Sequence, residues 1–305
     1  MTLRVLGILA LCVLNVAVVL LLAPLFEGIL RKLKAALHSR IGPPVTQPFL
    51  DILKLLGKDE LRTAHGVLYA AAPSLSLASV LLLATLVPMG GVPPLGFAGD
   101  IVVIVYVAAV SAVLLILTGY ASGSPYASVG SSREMMTLLS VEPVVAVALV
   151  VGAMKAQTLS AGGILEWNAE NGPSLSMILA GVTLFLAVQA QAGKLPFDIP
   201  DADQEIMGGP LIEQSGPRLA LFKLVLWAKQ LLFATLLVEL FFPWPRVGLL
   251  PVDLLLSLGK VLVVLVLVAL VDVVNPRLRI EQAMRYYLGV AFTSLAALAF
   301  TVIGM

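Results

Sequence analysis

Val252-Asp-Leu-Leu-Leu-Ser-Leu-Gly-Lys-Val-Leu-Val-Val-Leu-Val-Leu-Val-Ala-Leu-Val-Asp-Val-Val274 decides the fold. Only Asp253, Lys260 and Asp272 bring charge into this run, and no helical face of it is polar throughout. At about 1.5 Å of rise per residue such a helix covers the roughly 30 Å of hydrocarbon in a bilayer. The rest of the chain has the same character. Of 305 residues, 60% are apolar and 12% charged, and the mean hydropathy is +1.04. Soluble domains run at about 45–50% apolar and about 25% charged, so a soluble enzyme is excluded. The apolar runs are continuous, where a membrane barrel would alternate every second residue. A net charge of +1 argues against nucleic acid as a partner.

Seven further runs join the first, giving eight segments at about 3–26, 67–88, 99–119, 136–155, 174–193, 220–243, 252–274 and 287–305. The expected fold is all-α, a single polytopic membrane domain over 1–305 with eight transmembrane helices. The amino-terminal run reads as a first span and not as a cleaved signal. Loops at about 27–66, 120–135, 194–219 and 275–286 hold 13 of the 19 Lys and Arg residues. The bias of basic residues towards the inner face makes these loops cytoplasmic in a cell membrane and leaves both termini outside.

Residues 46–58 of the first loop are too few to span. Gln47, Asp51, Lys54 and Lys58 fall within a narrow arc opposite Phe49, Ile52, Leu53 and Leu56, with Thr46 as N-cap and Pro48 in the first turn. They read as an amphipathic helix, either an interfacial anchor or packed on the bundle with its polar strip towards a partner. The single cysteine, Cys12, and the two histidines, His38 and His65, are too few for an iron–sulfur cluster or a convincing metal site. No cofactor is expected in this chain. Redox centres belong to partners.

Charges within spans cost at least about 2.5–3.5 kcal/mol each, so they invite a functional reading. Glu142 precedes Pro143, which frees the Leu139 carbonyl. Lys229 lies too deep to snorkel, whereas Lys223 can do so. Glu239, Lys260 and Asp272 complete the set. The structural reading is ion pairs that fix helix register. The functional one, favoured here, is a proton or ion path.

Between the fifth and sixth segments runs Gly193-Lys-Leu-Pro-Phe-Asp-Ile-Pro-Asp-Ala-Asp-Gln-Glu205 and then Gly208-Gly-Pro-Leu-Ile-Glu-Gln-Ser-Gly216. It carries Asp198, Asp201, Asp203, Glu205 and Glu213. If 198–205 is helical, Asp198, Asp201 and Glu205 share a face and, once buried, share protons; a solvated acidic loop is the plainer reading.

Lys194-Leu-Pro-Phe-Asp-Ile-Pro-Asp-Ala-Asp-Gln-Glu resembles the signature of the membrane subunit 1 family of respiratory complex I. Arg40-Ile-Gly-Pro with Asp51-Ile-Leu-Lys-Leu, Gly123-Ser-Pro-Tyr, Ser132-Arg-Glu, Val141-Glu-Pro and Asn275-Pro-Arg-Leu-Arg resemble further motifs of that family in the same order. Leu37-His-Ser-Arg and Gly209-Pro-Leu-Ile-Glu-Gln-Ser-Gly are similar to its energy-converting nickel–iron hydrogenase branch, the formate hydrogenlyase, Ech and CO-induced types. Asp201 and Asp203 replace glutamates usual in complex I. The resemblance implies a membrane anchor and ion-coupling subunit. Its implied partners are hydrogenase large and small subunits holding a nickel–iron centre and iron–sulfur clusters, a ferredoxin-like iron–sulfur subunit, and antiporter-like membrane subunits. By motif, Arg40, Gly42, Pro43, Asp51 and Lys54, with Arg133, Arg277 and Arg279, become the surface for the cytoplasmic arm. Asp198, Asp201, Asp203, Glu205 and Glu213 become a charged entrance leading to Glu142, with Lys223, Lys229, Glu239 and Asp272 further along. A quinone, phenazine or sulfur reductase of the same superfamily is the competing reading, and a stand-alone secondary transporter a more distant one.

Overall fold

The structure, a computed structural model, describes all residues except 1, 62, 63, 65, 97, 202 and 305, and gives no side-chain environment for 2–4, 203 and 204. His65 and Arg62 therefore lie outside the described residues, as does the side chain of Asp203. Eleven α-helices follow one another among the described residues: α1 Thr2–Leu37, α2 Gln47–Leu56, α3 Val67–Leu86, α4 Ile101–Ala121, α5 Pro125–Ala156, α6 Ala161–Asn171, α7 Leu175–Gln191, α8 Asp203–Ile206, α9 Gly216–Phe241, α10 Leu250–Val274 and α11 Ile280–Ile303. Seven of them, α1, α3, α4, α5, α9, α10 and α11, are long and apolar enough to cross a bilayer, and α7 is apolar but has only 17 residues. The chain is a multi-pass membrane protein.

Proline and small polar residues set several helix starts. Pro125 opens α5 behind Ser124, where a missing N–H is harmless and the fixed φ suits the first turn. Ser174 caps α7 by accepting a hydrogen bond from the Met177 N–H at 3.4 Å. Charge does not end these helices. α1 continues beyond Phe26 to Leu37, and α5 starts eleven residues before the apolar run at 136. Backbone groups at this depth need their helical partners whatever the side chains are, so the ladder runs on until water or a loop replaces it.

α9 is the axis of the bundle. Most of its apolar core is buried, from Ala220 through Phe233 to Phe241, and α1, α2, α3, α6, α7 and α10 pack around it. Lipid supplies no hydrophobic drive between helices, so close packing of small residues matters most. Ala228, Ala234, Ala23, Ala84, Ala180 and Ala269 are nearly or fully buried where helices meet. The loop after α8 is seated just as tightly on α5: a Cβ on Gly130 would lie 2.6 Å from the Gly209 Cα. At one end of the bundle α6, a helix absent from the hydropathy pattern, buries Ala161, Ile164, Leu165 and Asn168.

Candidate functional site

The functional candidates gather at the end of the bundle where α1, α2, the 192–215 segment and the α10–α11 connection meet. The 198–205 stretch is not a continuous helix. Turns occupy 195–201 and only Asp203–Ile206 is helical, because Pro196 and Pro200 supply no backbone N–H for a ladder. The acidic residues therefore do not stack on one face. Arginines separate them: Arg277 donates from Nη2 to the Asp198 carboxylate at 2.6 Å, and Arg133 donates from Nη1 to the Glu205 carboxylate at 2.7 Å. The hydrogen bond and charge of Arg133 hold the Glu205 carboxyl below its ordinary value. Asp198 and Glu205 are thus each charge-paired to an arginine. Arg133, Asp198, Glu205, Arg277 and Arg279 line an open basin of about 840 Å³. Arg279 is exposed on its rim.

A second cluster ties three elements together. Glu27 of α1, 6% exposed, accepts from Lys194 Nζ at 3.0 Å and from Arg31 Nε at 3.1 Å. Arg31 also donates to Asp51 of α2 at 3.1 Å, and Gln47 donates to the other Asp51 oxygen at 3.0 Å. Burial pushes the Asp51 carboxyl up, but the Gln47 and Arg31 hydrogen bonds and the Arg31 charge outweigh it and leave it below its ordinary value. Asp51 thus faces α1, while Lys54, Arg40 and Pro43 are exposed and Gly42 is half-buried. Thr46 occupies the N-cap position of α2 without a side-chain hydrogen bond. Leu50, Leu53 and Leu56 point outward, and Pro48 and Ile52 face the bundle. Lys34 pairs with Asp272 of α10. Lys223, half-buried, lines a cleft of about 620 Å³ with Lys34, Lys194, Asp198, Asp201 and Asp272. The Glu213 carbonyl accepts from the Tyr69 hydroxyl at 2.7 Å, which fixes the loop to α3.

From this charged mouth a narrow polar line leads inward. A cavity of about 40 Å³ is lined by Asp198, Asp201, Glu134, Lys229, Ser111 and Gln191. A smaller one of about 10 Å³ follows, bordered by Glu142 and Gln191 and otherwise lined by apolar side chains, Phe233 and Leu236 among them. Lys229 is thirteen residues into α9, about 20 Å along the helix. Glu134 is the member that the hydropathy pattern leaves out, since it precedes the apolar run at 136. Its signal was the Ser124-Pro125 helix start, which places it inside α5. Glu239 stands apart at the other end of α9. It accepts from the Gly90 N–H at 3.0 Å, and Leu231, Leu232, Leu236 and Leu237, each at most 2% exposed, fill the helix between it and Lys229. Near Glu239, Lys260 donates to the Phe242 and Pro243 carbonyls at 3.0 and 3.1 Å. Among the described residues no three His, Cys, Asp or Glu side chains are grouped to hold a metal ion.

An all-helical membrane chain with an arginine-paired acidic loop over a buried polar line matches a known family model along nearly its whole length. The NADH dehydrogenase model aligns with residues 9–303. The chain belongs to that family, the subunit 1 family of complex I. Within it, hydrogenase-4 component C of Escherichia coli is 35% identical over 294 residues, covering 92% of this chain and 91% of the relative. Formate hydrogenlyase subunit 4 of the same organism is 33% identical over 284 residues, 90% of this chain and 92% of the relative. A chain from the structure of an archaeal membrane-bound sulfane sulfur reductase superposes with a TM-score of 0.89 at 28% identity, over 97% of this chain and 99% of that one.

Proposed function

We propose that this family member is the membrane anchor and ion-coupling subunit of an energy-converting nickel–iron hydrogenase complex. Electrons from reduced ferredoxin, or from formate or CO oxidation, reach protons in a cytoplasmic arm, and this subunit links that event to movement of H+ or Na+. The single observation behind the ion-coupling part is the polar line that starts among Asp198 and Asp201 and reaches Glu142 inside the bundle. Isolated charges serving helix register would not share adjoining cavities. The hydrogenase part rests on the names of the two E. coli relatives, each matched over most of its length.

In this reading α7 is the eighth span, shortened by the loop entering beside it. α2 lies in the interface with Leu50, Leu53 and Leu56 towards lipid. Arg40, Gly42, Pro43 and Lys54, together with Arg133, Arg277 and Arg279, meet the cytoplasmic arm, and Arg31 braces Asp51 from behind. The hydrogenase large and small subunits hold the nickel–iron centre and iron–sulfur clusters, a ferredoxin-like subunit feeds them, and antiporter-like subunits receive the coupling at the membrane. A charge change in the arm alters the Asp198–Arg277 and Glu205–Arg133 pairs, and the effect passes inward through Glu134, Lys229 and Glu142. Asp203, Glu213, Lys223 and Asp272 add to the field at the mouth. Glu239, beyond the leucine-filled segment of α9, holds the outer turn at Gly90.

The fit to the sulfane sulfur reductase chain favours a second reading, the same subunit in a sulfur, quinone or phenazine reductase. Purification of the native complex in mild detergent, with mass spectrometry and metal analysis, separates the two. Nickel and iron with a hydrogenase large subunit are expected; iron without nickel selects the reductase. A chain that purifies alone and without metal overturns both.

A further inference from the structure

Lys229 is 5% exposed, and among the described residues no hydrogen bond or ion pair reaches its ammonium. The nearest favourable contact is the face of Phe233, with Nζ 5.9 Å from the ring centroid. That contact offsets only part of the cost of keeping a cation away from water. The other two lysines set within α9 and α10, Lys223 and Lys260, are served differently. Lys260 donates to two carbonyls, and Lys223 opens on the cytoplasmic cleft.

The position of Lys229 accounts for a charge that no counter-ion holds. It lines the larger cavity with Glu134, while Phe233, on which its ammonium rests, lines the smaller one with Glu142. Gln191 lines both and forms the divide. Glu134 borders the larger cavity and Glu142 the smaller. They are eight residues apart on α5, about 12 Å along its axis. A lysine is a point charge on a flexible four-carbon stem, and here it shares a cavity with Glu134 without an ion pair to it. The larger cavity has room for a water molecule and the smaller one barely does.

We propose that Lys229 is the switching charge of the path: its ammonium crosses the Gln191 divide between Glu134 and Glu142, compensating the two carboxylates in turn. This rests on the ion-coupling reading given above. With the ammonium at Glu134, Glu142 is uncompensated and takes a proton delivered through water in the larger cavity. When the ammonium returns to Glu142, that carboxyl passes its proton on to the adjoining antiporter-like membrane subunit, and the chain regains its starting charge. Asp198 and Asp201 border the same cavity as Glu134, so a charge change at the cytoplasmic mouth biases the position of the ammonium.

The test uses the intact complex reconstituted in vesicles, with electron transfer from a reduced viologen dye and ion transport followed separately. Lys229→Met removes a charge that has no partner, so assembly and the thermal midpoint should be kept and dye-driven turnover should stay within about twofold. Transport per turnover should fall by about tenfold or more, as when a positioned proton-transfer group is lost. Adding Glu134→Gln should cause little further loss, because the two act as one unit. Lys229→Arg keeps a charge that is planar and bulky, and it should also fail to transport. Wild-type transport in the Arg variant means that a fixed charge suffices and overturns the switch. Normal transport in Lys229→Met, with transport lost in Glu142→Gln, overturns it too while leaving the path standing. Normal transport in Lys229→Met, Glu134→Gln and Glu142→Gln alike removes the ion-coupling reading itself. If the Met variant does not assemble, the Arg variant decides alone.

Discussion

Glu205 is exposed, yet its carboxyl is kept below the ordinary value by the Arg133 hydrogen bond and charge. A carboxylate whose value is depressed in the folded state contributes fully above its unfolded value, about 4.3 for Glu, and loses that contribution as pH falls through the depressed one. Acidification should therefore loosen 196–212 only below the ordinary glutamate range. In Arg133→Gln, with the depression removed, this acid-linked loosening should disappear and the loop should be looser at every pH. Hydrogen exchange of peptides from 196–212 in the purified complex measures this, and an unchanged pH profile would show that the pair does not hold the loop. Glu27 is a harsher case because it is buried between Lys194 and Arg31. Glu27→Leu leaves two cations short of a partner and should cost about 3–5 kcal/mol. Glu27→Leu combined with Lys194→Met should recover much of it, and the thermal midpoints of the two variants decide. Helical spacing links Glu27 to Arg31 four residues on, but not to Lys194. Glu27 is separated from Lys194 by 167 positions, and no local pattern links such residues.

Elements were legible where a single physical rule governed them and illegible where two competed. The apolar runs located all the long helices, since lipid demands them. Their ends were misplaced for the same reason at α1, α5 and α11: hydropathy stops at the first charge, whereas the backbone ladder does not. Arg31 and Lys34 extend α1 without penalty because Asp51 and Asp272 meet them. Of the two forms open for 198–205, the continuous helix does not form, because Pro200 supplies no N–H to its ladder. α6 did carry a signal in Ala161, Ile164, Leu165 and Asn168, spaced i, i+3, i+4 and i+7, but eleven residues are too few to register against spans twice as long. The seat of the acidic loop on α5 yields a prediction at this scale. Gly130→Leu places a side chain where the Gly209 backbone already sits, and backbone cannot yield as a flexible side chain does. Overpacking of this kind costs about 1–3 kcal/mol, and here it should lift the loop. Protease cleavage within 196–212 should become faster, while α9 and α10 remain protected. Unchanged cleavage would mean that the loop is held by its ion pairs alone.

Across the molecule, charge is divided between the two ends of the bundle. The pairs Arg31–Asp51, Arg133–Glu205, Lys194–Glu27, Arg218–Glu60, Arg277–Asp198 and Lys34–Asp272 all lie at the end formed by the long connections. The other end has the short turns, α6, and the small group of Glu239, Lys260, Asp253 and Arg246. This asymmetry has two sources that agree. Translocation leaves basic loops on the inner side, and docking of a redox arm needs a charged, structured surface on that same side. In the proposed orientation the acidic loop is cytoplasmic and both termini are outside, provided that α7 spans. That condition makes topology the sharpest test of the architecture, because losing one span would move the carboxyl terminus to the other side. Alkaline phosphatase, active only after export, should be active when fused after residue 304 and inactive when fused after Gly208 or Asn275. Green fluorescent protein should show the reverse. An inactive phosphatase at the carboxyl terminus, with the fusion at Gly208 still inactive, would place α9, α10 or α11 in the membrane as a re-entrant element. An active fusion at Gly208 would instead mean that α7 does not span or that the whole bundle is inverted, and either would put the arginine-lined basin out of reach of any cytoplasmic partner.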